Sequence, residues 1–138
     1  MSFRTIRVAA VVLIFGLVAA ACSPSADEFL ANSPLANPTL SFAEPVRQVS
    51  SPGSRPSLVG GPVAAQHTTS FEFDAALAGQ AFEEIRVQAE AAGYQLELVS
   101  LEQRLPSGNW TGTGTGLPIL TIRIVNSGGE GTMQVILQ

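Results

Sequence analysis

The chain has 138 residues, room for one domain and little more. Hydrophobic residues make up 46% of it, and seven basic against eleven acidic residues give a formal charge of −4. With no lysine present, that balance argues against nucleic acid and against electrostatic attachment to anionic lipid heads. A single cysteine rules out a disulfide within the chain.

Residues 1–21 have the three parts of an export signal. Arg4 and Arg7 make the start positive, with no acidic residue before Asp27. Val8 to Ala21 form an apolar run of 14 residues that ends in small side chains, as before a cleavage point. A membrane span needs about 20 apolar residues. Pro24 and Asp27 follow instead of a basic cluster, so a cleaved signal peptide is expected.

The stretch Val18 to Cys22, VAAAC, resembles the lipobox of bacterial lipoprotein signal peptides. Ala20 and Ala21 take its two small positions, and Ala19 stands where leucine is commonest. The resemblance covers residues 1–22 only, and no domain family is recognised beyond them. It implies a diacylglycerol on the Cys22 thiol, cleavage just before Cys22, and a fatty acyl chain such as palmitate on the freed amine. Two acyl chains suffice for stable anchoring. The domain would then sit outside the cytoplasm, lipid-anchored to a bacterial cell membrane or outer membrane. A lone free thiol is a liability in an oxidising compartment, and acylation removes it. Cleavage before Cys22 leaves five arginines against eleven acids, a balance of −6.

Residues 22–66 read as the lipidated cysteine and a disordered linker. Seven of the nine prolines fall between Pro24 and Pro62, interleaved with seven serines and three glycines. Proline fixes φ and lacks a donor, so regular structure is not expected there. As a random coil, 44 residues span about 35–40 Å. Phe29, Leu30, Leu35, Leu40 and Phe42 are more apolar than a spacer needs, which leaves open docking on a partner or on the domain.

A compact α+β domain is expected over 67–138. TSFEFD (69–74) alternates, with Phe71 and Phe73 on one face. Asp74 can cap a helix over 75–92, whose apolar stripe is Ala78, Phe82, Ile85, Ala89 and Ala92, with Glu83, Glu84, Arg86 and Glu90 facing water. Gly93 sits where a helix stops. YQLELVSLEQR (94–104) is a strand whose alternation slips, as at a bulge. WTGTGTG (110–116) is a weak edge strand or a loop. PILTIRIVN (118–126) points Leu120, Ile122 and Ile124 inward, NSGGEG turns, and TMQVILQ points Met133, Val135 and Leu137 inward. The expected architecture is a two-layer domain in the order β-α-β-β-β-β, one helix on a mostly antiparallel sheet of four to five strands. Strands flanking the helix would run parallel if they share that sheet.

No stretch specifies a reaction. GTGTG (112–116) leads into Leu117, Pro118 and a strand, whereas a phosphate cradle needs a following helix N-terminus. His67 is the only histidine and lies at the domain boundary, too few for a zinc site and without a G-x-S-x-G elbow to supply a nucleophile. Glu83 and Glu84 point about 100° apart on a helix. NWT (109–111) matches a glycosylation sequon, which a bacterial lipoprotein would not normally use. No catalytic, cofactor or metal residues are therefore assigned. Trp110, with Gly112 and Gly114, is the candidate partner contact: a lone tryptophan beside a glycine-rich stretch is a core plug or an exposed anchor.

The expected function is a non-enzymatic binding or accessory module, contacting a protein or cell-envelope partner through its sheet face or the 108–117 stretch. A small-ligand-binding lipoprotein and a small envelope hydrolase are the alternatives. Replacing Cys22→Ala should move the protein from the detergent phase to the aqueous phase in a phase-partition assay. Equal partitioning of both forms would sink the lipid anchor.

Overall fold

The computed structural model describes residues 25–53, 63–101 and 107–138; the expected signal peptide and Cys22 lie outside them. The chain opens with a short helix α1 (Ala26–Ala31) and then β1 (Pro45–Ser51). Next come β2 (Gln66–Asp74), a 3₁₀ turn (Ala75–Leu77) and α2 (Ala78–Ala91). Four strands finish it: β3 (Gln95–Leu101), β4 (Gly108–Thr113), β5 (Leu120–Ser127) and β6 (Glu130–Leu137).

The strands form one sheet in the order β1-β2-β6-β5-β4-β3, with every neighbouring pair antiparallel. β2 and β3 therefore run in the same direction, as the strand–helix–strand order predicts, but three strands separate them and they never pair. The sheet has six strands, not four to five, and the order is ββαββββ after α1. The extra strand is β1, drawn from the segment expected to be disordered.

Local chemistry accounts for the elements the periodicity predicts. The Asp74 carboxylate accepts from the Ala76 N–H at 2.8 Å, so the first turn after β2 is capped. Ala78, Ala81, Ile85 and Ala89 are fully buried on α2, and small alanines let the helix lie close to the sheet. Gly93, at φ 97°, ends it in the left-handed conformation that side chains resist. In β3 the register shifts between Leu98 and Ser100, the bulge that its slipping alternation foreshadows. Phe71 from β2, Leu120, Ile122 and Ile124 from β5, and Met133, Val135 and Leu137 from β6 make the buried face. WTGTGTG is partly strand β4, which lies inside the sheet between β3 and β5 rather than at an edge.

The linker expectation fails over its described part. Leu30, Leu35, Ala36 and Leu40 are buried in the same core as the strands, Pro38 is fully buried, and Phe42 packs edge-on against Phe73 with ring centroids 5.9 Å apart. Residues 32–43 form an irregular strap across the buried face, with α2 along one side. Side chains substitute for a backbone ladder there. The Thr39 N–H donates to Gln88 Oε1 at 3.0 Å, and Gln88 Nε2 donates back to the Thr39 carbonyl at 2.7 Å. The Ser41 N–H and hydroxyl donate to the two Glu84 oxygens at 2.7 and 2.6 Å, and Gln80 donates to the same carboxylate. These donors, the Ser41 hydroxyl foremost, hold the Glu84 carboxyl below the usual glutamate range. Glu84 thus faces the strap, while Arg86 joins Glu83 and Glu90 on the solvent side. Among the described residues no helix is long and apolar enough to cross a membrane.

If the strap is structural, Leu35→Ala should lower the unfolding free energy in urea by about 2–5 kcal/mol, as for other buried leucines. A segment hanging free of the domain would leave the midpoint where it was.

Candidate functional site

Trp110 does not project from the domain. Its ring stacks on Phe82 of α2, with centroids 4.2 Å apart and planes at 30°, and it is partly buried against the core. In the register Trp110 lies between Leu98 on β3 and Ile122 on β5, beneath the helix. The two glycines beside it have packing reasons. A Cβ on Gly112 would stand 2.8 Å from Leu96 and 3.1 Å from Leu120; one on Gly114 would meet Leu117 at 2.6 Å and the Gly93 carbonyl at 2.7 Å. The expected contact at Trp110, Gly112 and Gly114 is thus a seam between helix and sheet. Aromatic stacking and close backbone approach give each of the three residues a packing role.

His67 is buried rather than idle at a boundary. Its Nε2–H donates to the Ala36 carbonyl at 2.8 Å, and since a carbonyl can only accept, that nitrogen carries the proton. In the neutral ring Nδ1 then accepts from the Ser50 hydroxyl, at 2.6 Å. Thr69 also donates to the Ala36 carbonyl, and Gln48 spans Asn37 and Thr69. A serine beside a histidine invites a hydrolase reading, but here the ring joins β1, β2 and the strap, and no carboxylate orients it. Among the described residues no cluster of three or more His, Cys, Asp or Glu could hold a metal.

The helix and the strap cover one face of the sheet, and no described element covers the other. Strand pairing lays a row of polar side chains straight across that uncovered face. Arg47 on β1 stands opposite Ser70 on β2, Ser70 opposite Gln134 on β6, and Gln134 opposite Arg123 on β5. Arg123 stands opposite Asn109 on β4, and Asn109 opposite Ser100 on β3. The Asn109 amide donates to the Ser100 hydroxyl at 3.1 Å, which fixes that end of the row. Neither Arg47 nor Arg123 makes an ion pair with a described carboxylate, unlike Arg86. At about 4.8 Å per strand, the two guanidinium-bearing residues start about 14 Å apart and the whole row is about 24 Å long. Such a row can donate hydrogen bonds to an extended, acceptor-rich partner, with two arginines suited to carboxylate or phosphate oxygens.

A second concavity, of about 660 Å³, lies between the strap and α2, with Leu40 and Val87 beside Glu83 and Glu84. It is an open groove, and the Glu84 carboxylate on its wall is already engaged by Ser41. Comparison with models of known protein families, with curated proteins and with solved structures gives no match.

The Phe82–Trp110 stack predicts a measurable coupling. Trp110→Ala should cost about 3 kcal/mol of stability, near the lower end for a core tryptophan because the ring is only partly buried. A double-mutant cycle with Phe82→Ala should return about 0.5–1.5 kcal/mol of interaction. Additive losses, or a Trp110→Ala cost below about 1 kcal/mol, would restore the exposed anchor.

Proposed function

We propose that this protein is a non-enzymatic binding module of the bacterial cell envelope, tethered by an acylated Cys22, with the uncovered sheet face as its contact surface. The observation that carries this reading is the polar row from Arg47 to Ser100 on a face that no described element covers. A one-sided sheet ordinarily alternates core residues with solvated ones. Here the solvated set places two arginines with no ion pair among the described residues, two amides and two hydroxyls in line across all six strands. The partner this favours is an envelope component presenting carboxylate, phosphate or amide oxygens along an extended chain. The lipobox supports the address, and the absence of lysine together with the acidic balance argues against nucleic acid as that partner.

The groove between the strap and α2 supports a second reading, a small-ligand-binding lipoprotein, since its volume suits a ligand of modest size. The sheet face is preferred because its polar groups converge on one row, whereas the groove's carboxylates are already engaged, Glu83 by Arg86 and Glu84 by Ser41.

Cross-linking of the acylated full-length protein in native membranes, followed by affinity capture, tests the reading. Arg123→Glu should cut partner recovery by about tenfold or more, as loss of a charge-assisted contact does, while leaving the fold intact. Val87→Trp, which fills the groove, should leave recovery unchanged. Undiminished capture by an Arg47→Glu, Arg123→Glu double variant would remove the sheet face from consideration.

A further inference from the structure

Ala26, the first residue of α1, follows Cys22 by four positions, so the two lie within about 14 Å of each other whatever path the chain takes between them. The membrane attachment point, on the reading that Cys22 is acylated, is therefore beside α1 and not at the end of a long spacer. The surface at that place is apolar. A cleft of about 290 Å³ separates α1 from the loop before β5, with Phe29 and Pro34 on one wall and Leu117 and Pro118 on the other. Phe29 leaves 45% of its surface exposed, on the one short helix nearest the anchor.

Both walls are held in place. On the loop side, the buried Tyr94 hydroxyl donates to the Pro118 carbonyl at 2.9 Å, and the Leu117 N–H donates to the Gly114 carbonyl at 3.2 Å. On the helix side, Leu30 and Leu35 are buried to either side of the strap's first turn, and the Ser25 N–H donates to the Glu28 carboxylate. The apolar surface is thus a fixed feature of the domain. The opposite end differs. β5 starts two residues after Pro118 and runs eight residues, about 25 Å, to a turn where Glu72, Asp74 and Glu130 gather around another cleft.

We infer that the domain stands on the bilayer through this end, with Phe29, Pro34 and Leu117 at the boundary between headgroups and acyl chains and the strands rising away from it. This rests on the acylation of Cys22 and adds to it an orientation. The occupant is a zwitterionic phospholipid surface: the Glu28 carboxylate on the rim of the cleft and the acidic balance of the chain disfavour an anionic one. The uncovered sheet face would then look sideways along the membrane, and the acidic turn would point outward.

Accessible-thiol labelling decides it. Pro34→Cys, Phe29→Cys and Glu130→Cys variants of the acylated protein are bound to phosphatidylcholine vesicles and treated with a bulky, water-soluble maleimide. Each is compared with the same variant in an unanchored Cys22→Ala background. Thiols at positions 34 and 29 should react about tenfold more slowly on the vesicles, the factor given by a docked state populated about nine-tenths of the time. The thiol at position 130 should react equally in both. Equal rates at all three positions, with the protein still pelleting with the vesicles, would overturn the docking and leave the anchor standing. Failure to pellet, with Cys22 itself labelled by the maleimide, would overturn the acylation and the docking together.

Discussion

One helix cannot cover a six-stranded sheet. The outer strands of such a sheet lie about 24 Å apart, whereas a helix with its side chains is about 10–12 Å wide. α2 brings Ala78, Ala81, Ile85 and Ala89 to the buried face, and half of that face would still meet water. The strap supplies the missing cover with Leu30, Leu35, Ala36, Pro38 and Leu40. Having no ladder of its own, it donates hydrogen bonds to Glu84, exchanges them with Gln88 on the helix, and accepts them from His67 and Thr69 on β2. β1 then extends the sheet beyond the strap, and the Ser50–His67–Ala36 relay joins strand, sheet and strap at one point. The domain is therefore larger than the region whose hydrophobic pattern announces it.

What was legible in the sequence follows from what periodicity can report. Alternation in 69–74, 118–126 and 132–138 and the three-to-four spacing of 78–92 each put one apolar face on a regular backbone, and each of those elements is present. The strap is buried without being regular. Its residues reach the core one at a time, so proline density truthfully signalled the lack of a helix or central strand and said nothing about packing. β1 was hidden for the opposite reason. Every residue of Pro45–Ser51 is exposed, so it carries no alternation at all, and Pro45 occupies the first position of an edge strand, where its missing N–H costs nothing. Glycine misled at β4: Gly112 is there because Leu96 and Leu120 fill the space a side chain would need, not because the chain must bend.

The candidate site was less legible still. Arg47, Ser70, Ser100, Asn109, Arg123 and Gln134 are scattered along the chain, and only the registers of five strand pairs bring them into line. No local motif encodes such a row. Trp110 was conspicuous because it is the only tryptophan, and its stack on Phe82 shows how little rarity says about exposure. His67 carried a weak signal that could have been read, for it alternates with Thr69 and Phe71 on the inward side of β2. An inward histidine on a strand needs partners, and the nearest unassigned chain was the strap.

Ordering of the strap also bears on the anchor proposed at Cys22. A free linker of 44 residues would let the domain explore about 35–40 Å from the bilayer and present any face to any partner. With α1 and the strap folded into the domain, an anchor at Cys22 would reach only about 14 Å, and the number of accessible orientations would fall with it. Such a restriction would raise the effective concentration of the sheet face toward partners in the same membrane plane and lower it toward partners farther out. Recovering the longer reach would require stripping Leu30, Leu35 and Leu40 from the core and breaking the Glu84, Gln88 and His67 contacts together. On the proposed reading the partner would be met at the membrane surface, because the cover the sheet needs is made from the chain that would otherwise be the anchor's leash.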